Sequence, residues 1–189
     1  MDCGRNPDVE ETKNILTFNV DGSLLSTAIQ DSVLLISFQS PKGWHRLPRT
    51  IIAKAQQSAQ EKLEWTSKGK ASHSLEVRHA WNDTTTGGVM TVSRLATFDP
   101  SDSSRTIREY ENLYRESTPD ADIKKGVFYA NGLKVHQLRC STFNRVLFKM
   151  VFTNERLPYA VQFDFSIPVD TYPQLIRTIE SVTGSVVPM

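Results

Sequence analysis

Hydrophobic positions alternate with polar ones most regularly in the last third of the chain. From Asn131-Gly132 onward the segments LKVHQLRCS, RVLFKMVFT and YAVQFDFSIP each carry the period-two pattern of a strand with one face buried. In the last of them Tyr159, Val161, Phe163, Phe165 and Ile167 share a face, and Ala160, Gln162, Asp164 and Ser166 share the other. Asn-Gly between GVFYA and LKVHQLRC is a strong hairpin signal, so these four strands predict an antiparallel meander. The pattern then changes to helical spacing. Tyr172, Leu175, Ile176, Ile179 and Val182 form one stripe of DTYPQLIRTIESV, with Asp170 as N-cap and Gly184 as the C-terminal stop.

The first half is less regular. ILTFNV and VLLISFQ predict two short strands, with Asp21-Gly22 as the turn between them. SPKGWHRLP is a loop, and residues 48–65 predict a helix through Ile51, Ile52, Ala55, Ala59 and Leu63, closed by Lys68-Gly69-Lys70. HSLEVRHAW and VMTVSRLATF predict a second hairpin across NDTTTGG, and strict alternation puts His73, Leu75, Val77, His79 and Trp81 on one face. A second helix over about 103–116 places Ile107, Tyr110, Glu111 and Tyr114 on a modest stripe, with DPSDSS capping it. Residues 1–13 carry charge, Gly and Pro but no apolar period, and predict a disordered leader or tether ahead of a single domain over 14–189.

Composition narrows the functional classes. The 189 residues balance Lys+Arg 22 against Asp+Glu 21, so no global field recommends a nucleic-acid partner. The longest apolar runs are far below the ~20 residues of a membrane-spanning helix. Two cysteines, Cys3 and Cys140, indicate neither a disulfide framework nor a zinc site, and Cys140 reads as a buried, inert thiol. Cys3-Gly4 ahead of a polar stretch matches the start of a mature bacterial lipoprotein, with Met1 and Asp2 then foreign to that chain; an incidental cysteine is the competing account.

No catalytic constellation emerges. His136 and Cys140 share a strand face but lie roughly 13 Å apart along it, beyond proton-transfer reach. His73 and His79 are too far apart along a strand to hold one metal, and TTTGG matches no phosphate loop. Asn82-Asp83-Thr84 fits a glycosylation sequon that matters only in a secreted eukaryotic protein. Arg139, Arg145, Lys149 and Arg156 are candidates for a basic surface interleaved with Phe143 and Phe148, against a solvated sheet face as the plainer account.

The stretches FQSPKGWHRL (38–47), ANGLKVHQL (130–138), VQFDFSIP (161–168) and a final helix ending ESVTGSV together resemble the PsbP/Mog-like superfamily, which includes DcrB-type lipoproteins. The resemblance implies an α/β (α+β) sandwich, a mostly antiparallel sheet flanked by helices on both faces, acting as a non-enzymatic binding or assembly module with no cofactor and no catalytic residue. A protein partner is expected, with Trp44, His45 and Arg46 as contact residues because a loop tryptophan is an amphipathic anchor. Trp44 tucked over the sheet edge is the alternative. Lipid on Cys3 would place the protein in the bacterial periplasm or envelope, membrane contact then running only through that anchor; otherwise it is cytoplasmic. Competing readings are an adaptor chaperone that shields hydrophobic cargo, and a ligand carrier or enzyme whose sheet-helix cavity is faced by His79, His136 and Cys140.

Overall fold

Period-two segments generate most of the molecule, and the computed structural model describes residues 15–67, 75–96, 98 and 103–189, with side chains left out at 59–67 and 103–104. The leader, Cys3, the 68–70 helix stop, His73, most of the DPSDSS cap and the Ala59 and Leu63 positions therefore fall outside what is described. Among the described residues ten strands and three α-helices follow in order: β1 (Leu25–Asp31), β2 (Ile36–Pro41), β3 (His45–Arg46), α1 (Arg49–Ser67), β4 (Leu75–Asn82), β5 (Val89–Leu95), α2 (Ser103–Ser117), β6 (Asp122–Ala130), β7 (Leu133–Ser141), β8 (Arg145–Thr153), β9 (Ala160–Pro168), α3 (Tyr172–Gly184) and β10 (Val187–Pro188).

Seven strands form one antiparallel sheet in the order β3-β4-β5-β9-β8-β7-β6. The meander is as the pattern requires, with Asn131 (φ 51°) and Gly132 (φ 76°) making the two-residue turn and Ala130 opposite Leu133. A second, three-stranded sheet, β1-β2-β10, packs with α3 over one face of the large sheet, and α2 covers the other. Helices on both faces are therefore present. The small sheet is an addition to the single sheet expected.

The two faces bury different chemistry. Toward α3 and the small sheet, Phe38, Trp81, Phe148, Phe152, Phe163 and Phe165 form a ring-rich core, with Phe163 edge-on to Phe38 at 5.3 Å and to Phe152 at 5.1 Å. Toward α2, a smaller apolar cluster of Leu95, Phe98, Ile107, Leu138, Val151 and Ala160 surrounds buried polar groups. Because β9 is central and covered on both sides, Ala160 and Gln162 are as inaccessible as Val161 and Phe163.

Four local expectations need correction. The first hairpin is displaced: Asp21 caps a short 3-10 turn (Gly22–Leu24), and the reversal lies at 32–35 between β1 and β2. ILTFNV forms no strand, meeting the sheet through a bridge from Ile15 to Tyr129 and packing Phe18 on Phe128. Asp31, at the end of a mixed segment, accepts the amides of Val33 and Leu34 and so fixes the turn there. Thr171, not Asp170, occupies the N-cap of α3, without a side-chain capping bond. Gly184 is the last residue of α3, the stop expected, but it is helical, not left-handed. Its role is close approach, since a Cβ there would lie 2.5 Å from that of Phe18. Finally, a β-bulge between Val77 and His79 breaks the alternation in β4. Val77 pairs with Ser93 but His79 with Val92, so Leu75 and Val77 point to the α2 side while His79 and Trp81 point into the ring-rich core.

Candidate functional site

The bulge in β4 creates the most elaborate polar arrangement near a surface opening. It turns His79 inward beneath β3, where its ring stacks on Trp81 (centroids 5.7 Å apart, 27° between planes) and meets Phe38 edge-on. A guanidinium can only donate, so Arg46 Nη2 donates to His79 Nδ1 at 2.8 Å, and His79 Nε2 donates to Asp31 Oδ2 at 2.7 Å. Both ring nitrogens are committed. Burial is the largest influence on His79 and pushes its pKa down; the bond to Asp31 opposes this and Arg46 adds to it, leaving the neutral tautomer. For Asp31, burial pushes upward, but the Leu34 amide, His79, the Val33 amide and Arg78 together hold the carboxyl below its ordinary range.

Around this chain lies a half-open cleft of about 450 Å³ between β3, the first turns of α1 and the bulged part of β4. Leu47, Ile52, Ala53 and Val77 give it apolar walls, and Arg46, Arg49, Arg78, His79 and Gln56 give it polar ones. Arg78 stands 3.7 Å from Asp31 and 3.2 Å from Glu76, which also holds Arg94 at 2.8 Å. The Arg78 atom nearest Asp31 is Nε, which makes no hydrogen bond among the described residues. Arg49 is exposed and has no ion-pair or hydrogen-bond partner among the described residues.

Of the loop residues singled out in the sequence, Trp44 is half-buried against the core, its ring over Gly88: a Cβ on Gly88 would lie 2.9 Å from Trp44 Cη2. That is the edge-plug arrangement. His45 is exposed and pairs with Asn82 through the backbone, while Arg46 is exposed but tied to His79 and lies 6.0 Å above the Trp81 ring. Lys42 N–H donates to Leu24 and Leu47 N–H to Ala80, so the loop is fastened at both ends.

The four basic residues do not assemble. Leu138 opposes Lys149 and Arg139 opposes Phe148, so Arg139 lies on the face opposite Lys149 and Arg145. Arg139 pairs with Asp122, and Arg145 donates to the Ser166 hydroxyl and to the Gly87 and Ser166 carbonyls. Arg156 sits in the β8–β9 connection, its amide donated to Asn154. Lys149 lies under α2, 4.4 Å from the centre of the Tyr110 ring and paired with Asp164. Burial works against its charge, but Asp164 and the Tyr114 and Tyr110 hydroxyls more than compensate and keep it protonated. Phe148 is core, and Phe143 is 94% exposed at a turn.

Nor do His79, His136 and Cys140 face one cavity. His136 and Cys140 point to the α2 side, opposite His79. Burial pushes the His136 pKa down to about 4, and Nε2 has no partner among the described residues. The Cys140 thiol is fully buried, which pushes its pKa up. Among the described residues no group of three His, Cys, Asp or Glu side chains could hold a metal, and no helix is long and apolar enough to cross a membrane.

Sequence reasoning selected Arg46 and His79 but passed over Asp31, Arg49 and Arg78. The available signal was Asp31, an isolated carboxylate between LSTAI and VLLISF, where a side-chain-capped turn is expected.

No protein-family model and no curated protein sequence matches the chain. Solved structures do. The solution structure of cyanobacterial PsbP (CyanoP) from Synechocystis sp. PCC 6803 aligns over 99% of this chain and 99% of its own, at TM-score 0.55 and 13% identity. LpqN, a protein involved in cell envelope biogenesis of Mycobacterium tuberculosis, aligns over 85% of this chain and 88% of its own, at TM-score 0.50 and 11% identity. The chain thus shares the fold of cyanobacterial PsbP and LpqN, the α+β architecture that the resemblance in its sequence implied.

Proposed function

We propose that the protein is a non-catalytic accessory factor of the cell envelope that binds another protein through the loop 42–49. The observation that carries this reading is the buried relay Asp31–His79–Arg46, which fixes an exposed cationic loop to the core. With both ring nitrogens used to hold neighbours, His79 serves as a structural tie and has no free nitrogen for acid–base work. A loop held in place before contact loses little entropy on binding, which favours recognition. The shared fold of LpqN, whose role is in envelope biogenesis, supports the location. Lipid on Cys3 is the attachment proposed, so the N-terminal peptide of the native protein is expected to carry a diacyl or triacyl mass; an unmodified peptide removes the anchor from the reading.

The test of binding is a photo-crosslinking side chain at exposed His45, in the native host, with Phe143 as the control position. One dominant protein adduct in the envelope fraction, lost on R46E, is the expected result. Equal labelling from both positions, or adducts confined to the cytosol, would overturn it.

A further inference from the structure

The cleft behind the loop has chemistry that docking through the loop does not use. Its polar wall carries three guanidinium groups, and among the described residues only one of them, Arg78, has carboxylate partners, Asp31 and Glu76. Arg46 spends its contact on a neutral imidazole, which leaves its charge uncompensated, and Arg49 has no partner among the described residues. Arg78 keeps its Nε toward Asp31 at 3.7 Å, without a hydrogen bond among the described residues, and is half-exposed at the cleft. Guanidinium forks suit carboxylate and phosphate oxygens, which accept two parallel N–H groups. Across from them Leu47, Ile52, Ala53 and Val77 supply an apolar wall with no donor or acceptor side chain. The volume, about 450 Å³, lies within the range of small-molecule sites.

We infer that this cleft is a binding site for a small amphipathic anion, a carboxylate or phosphate head on a short apolar chain. The head lies between Arg46, Arg49 and Arg78, and the chain lies along Leu47, Ile52 and Val77. Glu76 and Asp31 do not repel it, since each is already paired with guanidinium or imidazole. The ligand is separate from the protein partner proposed above, so either reading can fail while the other stands.

Octanoate, octyl phosphate and octanol, titrated into the purified full chain by calorimetry and by amide chemical shifts, test the inference. Both anions are expected to bind saturably, shifting Ile52, Val77, Arg78 and His79, with octanol at least ten times weaker. The two anion arms separate a carboxylate ligand from a phosphate one by relative affinity. R49Q, at an exposed position, is expected to keep the wild-type melting temperature and to weaken the anions about tenfold without changing octanol. If octanol binds as tightly as the anions, or R49Q leaves their affinity unchanged, or no saturable shift arises, the site is not one for anions.

Discussion

The two faces of the seven-stranded sheet solve the same burial problem with different chemistry. Toward α3 and the small sheet, the core is apolar and aromatic, with rings meeting edge-on around Phe163. Toward α2, Tyr110 donates to Gln162, Gln162 donates to Asp164, and Lys149 pairs with Asp164 beneath a ring. Area and packing stabilise the first face, whereas mutual satisfaction of polar groups is the condition for stability of the second. Burial pushes the Tyr110 hydroxyl up to about 12, so it remains a neutral donor across the physiological range. The contrast teaches that a polar residue on a covered strand face marks neither a site nor an exposed surface by itself. Lys149 belongs to the interior.

The comparison can be broken first at its apolar side. F163A removes a fully buried ring between two others and is expected to cost about 3–5 kcal/mol in urea denaturation. At the polar side D164A leaves the Lys149 ammonium largely covered and unpaired, for a loss of about 3 kcal/mol. The double variant K149M/D164L is expected to recover most of that loss; a double variant as unstable as D164A alone would show that packing, not charge, dominates there. G184A should destabilise by about 1–3 kcal/mol through overlap with Phe18, with thermal melting as the readout.

The smallest effect depends on pH. The unfolded chain binds a proton at His136 near pH 6.5, whereas the folded chain resists it until about pH 4. Stability contributed by neutral His136 is therefore complete above pH 6.5 and lost as pH falls toward 4. H136Q should flatten that part of the stability profile relative to wild type. An unchanged profile would assign the acid sensitivity to His79 instead.

Much of this was legible in the residues. Alternation in β7, β8 and β9, the Asn131-Gly132 turn and the stripe of α3 follow from local periodicity, because covering one face of a strand or helix requires apolar side chains at a fixed spacing. Those elements determined the antiparallel meander and the fold class. The displaced first hairpin was not legible, because LSTAIQD has a mixed pattern and gains its place by pairing with β2 and closing on Asp31. What only the tertiary structure decided is the site. One inserted residue in β4 moves His79 to the opposite face from Val77, since side chains alternate with period two and a bulge resets the count. That reset joins Asp31, Arg46 and His79, distant in sequence, into one relay and opens the arginine-lined cleft beside it.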